Sequence, residues 1–298
     1  MNTKPPRSIR RLGALLVLCA GFVALGTARA QDAATLKARH AELTERLANN
    51  AFGRPLALES AQTSNDLKGD IFSVVDYPFS AVEQAVKPAG NWCDILILHL
   101  NVKHCKATEA GGTTTLAVAA GRKFDQPIEE AYKLEFVYKL AKSSPDYVQV
   151  QLNADQGPFG TRNYRIQLQA TPIDARRTFV HMSYAYGYGM AAKMATQAYL
   201  ATIGSQKVGF TAAERDADGK PIYVGGVIGL LERNTMRYYL AIDSYLATYS
   251  LPPAERTEKA LQTWYDATER YATQLHEMEK SEYMTMKRKE VARMRETQ

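Results

Sequence analysis

Residues 225–249 read GGVIGLLERNTMRYYLAIDSYLATY, and the rest of the chain is organised around this stretch. Its apolar side chains recur at helical spacing: Val227, Leu231, Tyr238, Ile242 and Tyr245. This spacing predicts a helix of about six turns with one apolar face. Its charged side chains fall off that face and predict a two-faced helix: Glu232, Arg233, Arg237 and Asp243. The pair Pro252 and Pro253 then ends the helix, because proline lacks the backbone donor that a helix needs.

The chain before this helix alternates apolar and polar residues with a period of two, which is typical of half-buried β-strands. Five successive strands are predicted between residues 113 and 188, most clearly at 131–142 and 147–153. Short turns join them, which favours an antiparallel meander. The predicted elements before the meander are a strand at 68–77 and short helices at 80–87 and 91–100.

This order of elements resembles the START-like helix-grip superfamily, which includes polyketide cyclases. The segments that carry the resemblance are residues 70–76, 79–105, 113–188 and 226–249. The inserted region 190–224, with a predicted helix and hairpin, departs from the simplest version. The resemblance implies an α+β fold in which an antiparallel sheet grips the long late helix. It also implies a cavity for an apolar ligand, and binding more often than catalysis.

Residues 1–30 have the composition of a cleavable signal peptide, with a basic start, an apolar run at 12–25 and Ala28-Arg29-Ala30 before the cleavage point. The apolar run is shorter than the roughly 20 residues that span a bilayer. We therefore expect cleavage after Ala30 and a periplasmic or secreted protein. Removing the five basic residues of this segment leaves 32 basic against 31 acidic residues. A nearly neutral exported chain argues against a nucleic-acid partner.

The remaining chain divides into a predicted N-terminal helix at 31–55, the START-like domain at 56–250 and a helical extension at 251–298. In the extension, apolar residues follow a heptad-like seam from Leu261 to Met278. This seam is compatible with packing on the domain, pairing with the N-terminal helix, or forming a homodimer. The basic segment 286–295 fits either contact with a membrane surface or a solvated helix end.

Cys93 and Cys105 are the two cysteines outside the predicted signal peptide. In an oxidising compartment such a pair predicts a disulfide, and the alternative is two buried free thiols. One continuous helix would hold their Cα atoms about 18 Å apart, whereas a disulfide requires less than about 7 Å. A bridge therefore requires the chain to double back near Asn101. No further cysteine completes a zinc site, so we predict no metal.

The candidate ligand-binding residues share faces of the predicted strands and helix: Tyr132, Tyr138, Tyr184, Tyr186, Asn234 and Tyr238. An aromatic ring with a hydroxyl suits an amphipathic ligand, but ordinary core and cross-strand packing is the simpler explanation for any single tyrosine. Asn234 falls on the apolar face and needs a polar partner. Arg233 and Arg237 are suited to a ligand head group, or to a solvated face or an ion pair.

No sequence motif for hydrolytic, nucleotide or metal chemistry is present. We therefore predict no catalytic residue and no cofactor. Three hypotheses follow: an exported binder of a lipid, sterol-like or polycyclic molecule; a cyclase-type enzyme that uses Asn234, Tyr184 or His181 in the same cavity; and an envelope interaction protein with a filled core.

Overall fold

A computed structural model describes residue 1 and residues 28–202 and 204–296. Its helices are α1 Ala28–Glu42, α2 Thr44–Ala48, α3 Phe79–Val86, α4 Ala89–Leu96, α5 Met190–Ala201, α6 Gly226–Thr248, α7 Pro253–Glu269, α8 Ala272–Leu275 and α9 Lys280–Glu296. Its strands are β1 Leu56–Gln62, β2 Asp66–Val75, β3 Val102–Ala110, β4 Thr113–Ala120, β5 Tyr132–Ser144, β6 Tyr147–Gln156, β7 Thr161–Pro172, β8 Thr178–Tyr188, β9 Ala212–Arg215 and β10 Pro221–Tyr223.

Eight strands form one antiparallel sheet in the order β1-β2-β8-β7-β6-β5-β4-β3. The run from β4 to β8 is the predicted meander, and β2 closes on β8 with Ile71 opposite Met182. The predicted α+β architecture, an antiparallel sheet with a long late helix packed against it, is thus confirmed. Strands β1 and β3, which make both edges of the sheet, were not predicted from the sequence. The predicted hairpin of the inserted region is present as β9 and β10.

Helix α6 lies on the inner face of the sheet, where it packs against β1, β2 and β8. Its approach to β2 is close because residue 69 is glycine: a Cβ at Gly69 would overlap the side chain of Thr235. One turn later, the Tyr239 hydroxyl donates a hydrogen bond to Ser73 Oγ at 2.8 Å. The small residues of β2 therefore set the position of the gripped helix.

Of the two structural alternatives for the charged residues of α6, a solvated face or an ion pair, the structure shows the ion pair for Arg237, whose Nη2 is 2.7 Å from Glu277. Glu232 and Arg233 are fully buried, and Arg237 is 1% exposed. The segment 207–211 and helix α8 cover the side of α6 that faces away from the sheet, since Glu232 accepts hydrogen bonds from the Phe210 and Thr211 amides. Charged residues off the apolar stripe thus lie inside the protein, where each needs a partner.

The outer face of the sheet carries a second, smaller core under helix α1. Leu36 of α1 and Leu43, between α1 and α2, pack there with Phe72 of β2 and Phe179 of β8. The predicted N-terminal helix is therefore present as α1 and α2. Residues 2–27, which make up most of the predicted signal peptide, lie outside the described residues.

The C-terminal helices pack on the domain, which was one of the three arrangements left open. Helix α7 lies along α6, and α9 lies along β3. The basic segment 286–295 is solvated on one side only: Arg288, Lys289 and Arg295 are exposed, whereas Met286, Val291 and Met294 are buried. The membrane contact and the homodimer predicted for this region gain no support from the structure. Among the described residues, no helix combines the length and hydropathy that a bilayer crossing requires.

Two lysines enter the core beneath α9. Lys287 donates to the carbonyls of His99 and Val102 and to Glu290, at 2.7 to 2.8 Å. Lys103 of β3 donates to Leu100 O, Phe124 O and the other oxygen of Glu290. Each ammonium group thus meets at least three acceptors. We call Lys103, Lys287 and Glu290 the α9 cluster.

Cys93 of α4 and Cys105 of β3 form a disulfide, with their Cα atoms 5.2 Å apart. The chain doubles back between them, since α4 ends at Leu96 and β3 begins at Val102. The expected reversal near Asn101 is therefore confirmed.

A candidate ligand site between the sheet and the long helix

Four tyrosines from β7, β8 and α6 contact one another on the inner face of the sheet. The rings of Tyr184 and Tyr238 are 5.0 Å apart, and those of Tyr184 and Tyr186 are 5.5 Å apart. Tyr164 stacks on Tyr186 at 5.2 Å. These four residues, which we call the tyrosine cluster, form an aromatic wall between the sheet and α6.

The local sequence explains how these rings meet. Tyr184 and Tyr186 are two residues apart on β8 and share its inner face. Tyr164 reaches them because the register of β7 against β8 shifts between Arg162 and Arg165. Asn163 at this irregularity has a positive φ of 52°.

The hydroxyls of Tyr184, Tyr186 and Tyr238 have no hydrogen-bond partner among the described residues. Tyr186 and Tyr238 also keep accessible surface, although burial raises the phenol pKa of both well above its ordinary value. Burial likewise raises the pKa of Tyr184. These phenols therefore remain protonated donors at neutral pH. Their hydroxyls make no hydrogen bond with the described residues and, unlike those of Tyr199 and Tyr245, are not fully buried.

Asn234 lies one turn before Tyr238 on α6 and is partly accessible. Its Oδ1 is 3.5 Å from Nη1 of Arg237, at the limit of a hydrogen bond. The polar partner expected for this asparagine is therefore a neighbouring arginine, which connects the tyrosine cluster to the charged residues behind it.

The structure places the other two candidate tyrosines elsewhere. Tyr138 donates its hydroxyl to the carbonyl of Lys87, which ties β5 to the end of α3. Tyr132 is 43% exposed at the start of β5 and packs on Phe159, with the ring centroids 4.9 Å apart. These two side chains are not among the contacts of the tyrosine cluster.

Two members of the site were not selected from the sequence. One is Tyr164, whose position depends on the irregularity in β7. The other is His99, which stacks on Tyr238 at 4.6 Å. Its Nδ1 accepts a hydrogen bond from the Asn101 amide, so the proton of the neutral ring is on Nε2. That buried nitrogen has no hydrogen-bond partner. Burial lowers the pKa of His99 well below its ordinary value, helped by the nearby Arg237 cation.

A second set of side chains lies behind Asn234. Glu277, between α8 and α9, is 2.7 Å from Nη2 of Arg237 and 2.5 Å from Nζ of Lys123. Lys207 reaches the same carboxylate at 3.5 Å. Arg233 lies one turn before Arg237 and donates to Val208 O at 3.1 Å. We call Arg233, Arg237, Lys123, Lys207 and Glu277 the α6 cluster.

The members of the α6 cluster alter one another's ionisation. Burial and the Arg237 cation lower the pKa of Lys123 to about 8, against the effect of Glu277. Burial alone raises the pKa of Glu277, but Arg237 and Lys123 lower it overall. Glu277 is therefore ionised at neutral pH. Spacing alone does not predict this cluster, because its members come from four separate segments of the chain.

His181, a candidate in the enzyme hypothesis, lies on the outer face of β8, opposite the tyrosines. It contacts Asp70 and Gln169 at 2.8 Å. Residues 28–202 and 204–296 contain no group of three or more His, Cys, Asp or Glu side chains that would hold a metal ion.

A surface pocket of about 280 Å³ lies near the ends of β1, β8 and α6, and no member of the tyrosine cluster lines it. It is lined by the β1–β2 turn, by Tyr188 of β8, by Lys193 and Gln197 of α5 and by Val227 of α6. Helix α5 thus lies across the end of the space between the sheet and α6.

Comparisons with known proteins give only distant similarities. No protein-family model matches the sequence, and no curated protein matches it. Among solved structures, human StAR-related lipid transfer protein 5 is 9% identical, with 57% of this chain and 90% of that chain covered and a TM-score of 0.32. The Zhui aromatase/cyclase from Streptomyces sp. R1128 is 10% identical, covering 45% and 70%, with a TM-score of 0.30.

Truncated norcoclaurine synthase from Thalictrum flavum is 14% identical, covering 46% of this chain and 86% of that chain, with a TM-score of 0.33. Similarities this low support no inference about a ligand or a reaction.

Proposed function

We propose that the protein binds a small molecule with an apolar or aromatic body between the sheet and α6, next to the tyrosine cluster. The observation that carries this proposal is the set of three unpaired hydroxyls on Tyr184, Tyr186 and Tyr238. A polar group inside a protein normally has a partner. Three such donors on one aromatic wall suit a ligand that offers both an apolar surface and hydrogen-bond acceptors.

The ionisation of the site favours binding over acid–base catalysis. The phenols of Tyr184, Tyr186 and Tyr238 have raised pKa values and His99 has a lowered one, so all four groups are neutral at physiological pH. General acid–base catalysis works best when a group's pKa lies near the working pH. These side chains are instead suited to hold and orient a ligand.

Titration with the neutral fluorescent probe N-phenyl-1-naphthylamine tests the proposal. We expect saturable binding with one site per chain. The triple variant Tyr184→Phe, Tyr186→Phe, Tyr238→Phe keeps the rings and removes the hydroxyls. It should weaken binding of an acceptor-bearing analogue, 1-naphthol methyl ether, by about tenfold, the loss expected for about 1.4 kcal/mol of hydrogen bonding.

The matched control is Tyr223→Phe in β10, which removes a tyrosine hydroxyl outside the cluster. It should bind both probes as the unaltered protein does. Absence of saturable probe binding, in protein that native mass spectrometry after organic extraction shows to be empty, would instead favour a filled core and an interaction protein.

We also propose that residues 1–30 direct export and are removed after Ala30. The basic start, the apolar run and the small residues before Gln31 support this. The intact mass of the protein from a periplasmic extract should correspond to a chain that begins at Gln31. A mass that retains residue 1 would contradict it.

A further inference from the structure

The guanidinium group of Arg233 is unusual among the buried cations. The residue is fully buried, and its Nε and Nη2 atoms have no hydrogen-bond partner. Nε of Arg237 is also buried without a partner. Three charged donors at the centre of one cluster are therefore unsatisfied, and burying a charged donor without an acceptor is costly.

The charge around these donors is also unbalanced. Four cations, Arg233, Arg237, Lys123 and Lys207, share the carboxylate of Glu277. The nearby Glu232 is already occupied, since it accepts hydrogen bonds from Ser60, the Phe210 amide and Thr211. Even when both carboxylates are counted, two positive charges remain uncompensated.

Helix α5 closes this cluster from one side. The hydroxyl of Tyr199 lies beside the Arg233 guanidinium and favours its charged form. This hydroxyl is itself buried without a hydrogen-bond partner of good geometry. Lys123 lies over the Tyr199 ring, with Nζ 5.8 Å from the centroid. Tyr199 thus occupies the place where an acceptor for Arg233 would lie.

The α6 cluster adjoins the tyrosine cluster. Asn234 contacts Arg237 on one side and lies one turn from Tyr238 on the other, and all three belong to α6. Arg237 and Tyr238 are neighbours on α6 but lie about 100° apart around its axis. A ligand that meets both therefore passes around the edge of the helix, past Asn234.

We propose that the ligand is an anionic amphiphile, whose carboxylate or phosphate group is bound by Arg233 and Arg237 in place of the Tyr199 hydroxyl. This inference rests on the proposed function and specifies the class of its ligand. Arginine is suited to the role because its fork of donors matches a carboxylate or phosphate in two parallel hydrogen bonds. The tyrosine cluster then holds the apolar body.

Displacement of N-phenyl-1-naphthylamine by three ligands with the same alkyl chain tests this: decanoate, decyl phosphate and decanol. We expect the two anions to bind at least about tenfold more tightly than the alcohol, since one charge-assisted hydrogen bond accounts for such a factor. The tighter of the two anions identifies the oxyacid. Inorganic phosphate alone should not displace the probe.

The variant Arg233→Met should abolish the preference for the anions and keep the affinity for decanol. The matched control Arg176→Met removes an exposed arginine in the β7–β8 turn and should leave the preference unchanged. Circular dichroism establishes that each variant is folded. Lys123→Met, a partly exposed member of the cluster, serves as a second variant and should reduce the preference in the same direction.

Equal affinities for decanoate and decanol would overturn the anionic assignment and leave the proposed function standing. Failure of all three ligands to displace the bound probe would overturn the anionic amphiphile as the ligand, whereas absence of saturable probe binding would overturn the proposed function itself. Binding of inorganic phosphate as tight as that of decyl phosphate would show a free-anion site, and would also overturn the assignment.

Discussion

The protein buries two clusters of charged side chains, and they differ in how their donors are satisfied. In the α9 cluster, each lysine meets backbone carbonyls and a shared carboxylate at hydrogen-bond distance. In the α6 cluster, Arg233 has one carbonyl partner and two unpaired donor atoms. Both clusters carry more cations than carboxylates, so net charge does not distinguish them.

The comparison separates a structural role from a binding role. Buried charges that stabilise a fold are paired and hydrogen-bonded, as in the α9 cluster, which joins β3 to the last helix. A buried cation with unpaired donors makes a weaker contribution to the fold and is available for an external acceptor. The predictions below test this distinction through the stability of the protein.

The largest effect is expected for Glu290→Gln. This change removes the carboxylate that two fully buried lysines share, and breaking a buried pair in this way typically costs about 3–5 kcal/mol. We expect the free energy of unfolding, measured by urea denaturation, to fall by this amount. The control Glu258→Gln removes the carboxylate of an exposed pair with Arg288, and its midpoint should change little. Equal midpoints for the two variants would contradict a structural role for the α9 cluster.

A somewhat smaller effect is expected for the disulfide. The bridge joins α4 to β3, the strand that carries Lys103, and closes a loop of 12 residues. For a loop of this size, the loss of chain entropy in the unfolded state corresponds to about 3 kcal/mol. The double variant Cys93→Ser, Cys105→Ser should lose roughly this free energy of unfolding. Under reducing conditions the free energy of unfolding of the unaltered protein should fall to that of the variant. A difference that persists would show that the variant loses packing as well as the bridge.

A pH dependence is expected from Lys287, whose pKa burial lowers from 10.5 to about 8 against the effect of Glu290. Between these values the unfolded chain binds more protons than the folded protein, so this group makes the free energy of unfolding rise with pH. Below about pH 8 the contribution is constant. On going from pH 7.5 to 9.5, the unaltered protein should gain up to about 2 kcal/mol relative to Lys287→Met. Urea denaturation at both values measures this, and a difference that is independent of pH would contradict it.

The smallest effect on stability is expected for Arg233→Met. Replacing a poorly satisfied buried charge with an apolar side chain of similar length is often neutral or stabilising. We expect the free energy of unfolding to change by less than about 1 kcal/mol, or to rise. Thermal denaturation without added ligand measures the change. A loss as large as that of Glu290→Gln would show that both clusters are structural.

Much of the fold follows from local patterns. The side-chain period of two predicted the strands β4 to β8, because one face of each is buried and the other is largely polar. Strand β1 was missed because its first three residues are all buried, so its sequence LALESAQ lacks a clear alternation. Strand β3 contains polar residues that helix α9 buries. Because α9 is distant in the sequence, the local pattern of β3 does not predict this burial.

The candidate site could be predicted only in part. Tyr184, Tyr186, Asn234 and Tyr238 lie near one another, as their shared faces suggested. The contact of Tyr164 with the other tyrosines could not be predicted, because it depends on the irregularity in β7. For Arg233 and Arg237 the sequence left open a ligand head group, a solvated face and an ion pair, because charged residues are mostly exposed and local spacing does not predict their burial. Their burial depends on Lys207, Glu277 and α8, which are distant in the sequence.

The pairing of Lys103 with Glu290 also constrains the order in which the chain can fold. These residues are 187 positions apart, so β3 is synthesised long before the carboxylate that allows its lysine to be buried. Until α9 arrives, the strand must leave that ammonium group in water, and this edge of the sheet stays incomplete. A chain that stops before Lys280 therefore cannot finish its core. Such a chain would expose β3 to proteases, so that the last helix distinguishes a finished polypeptide from an interrupted one.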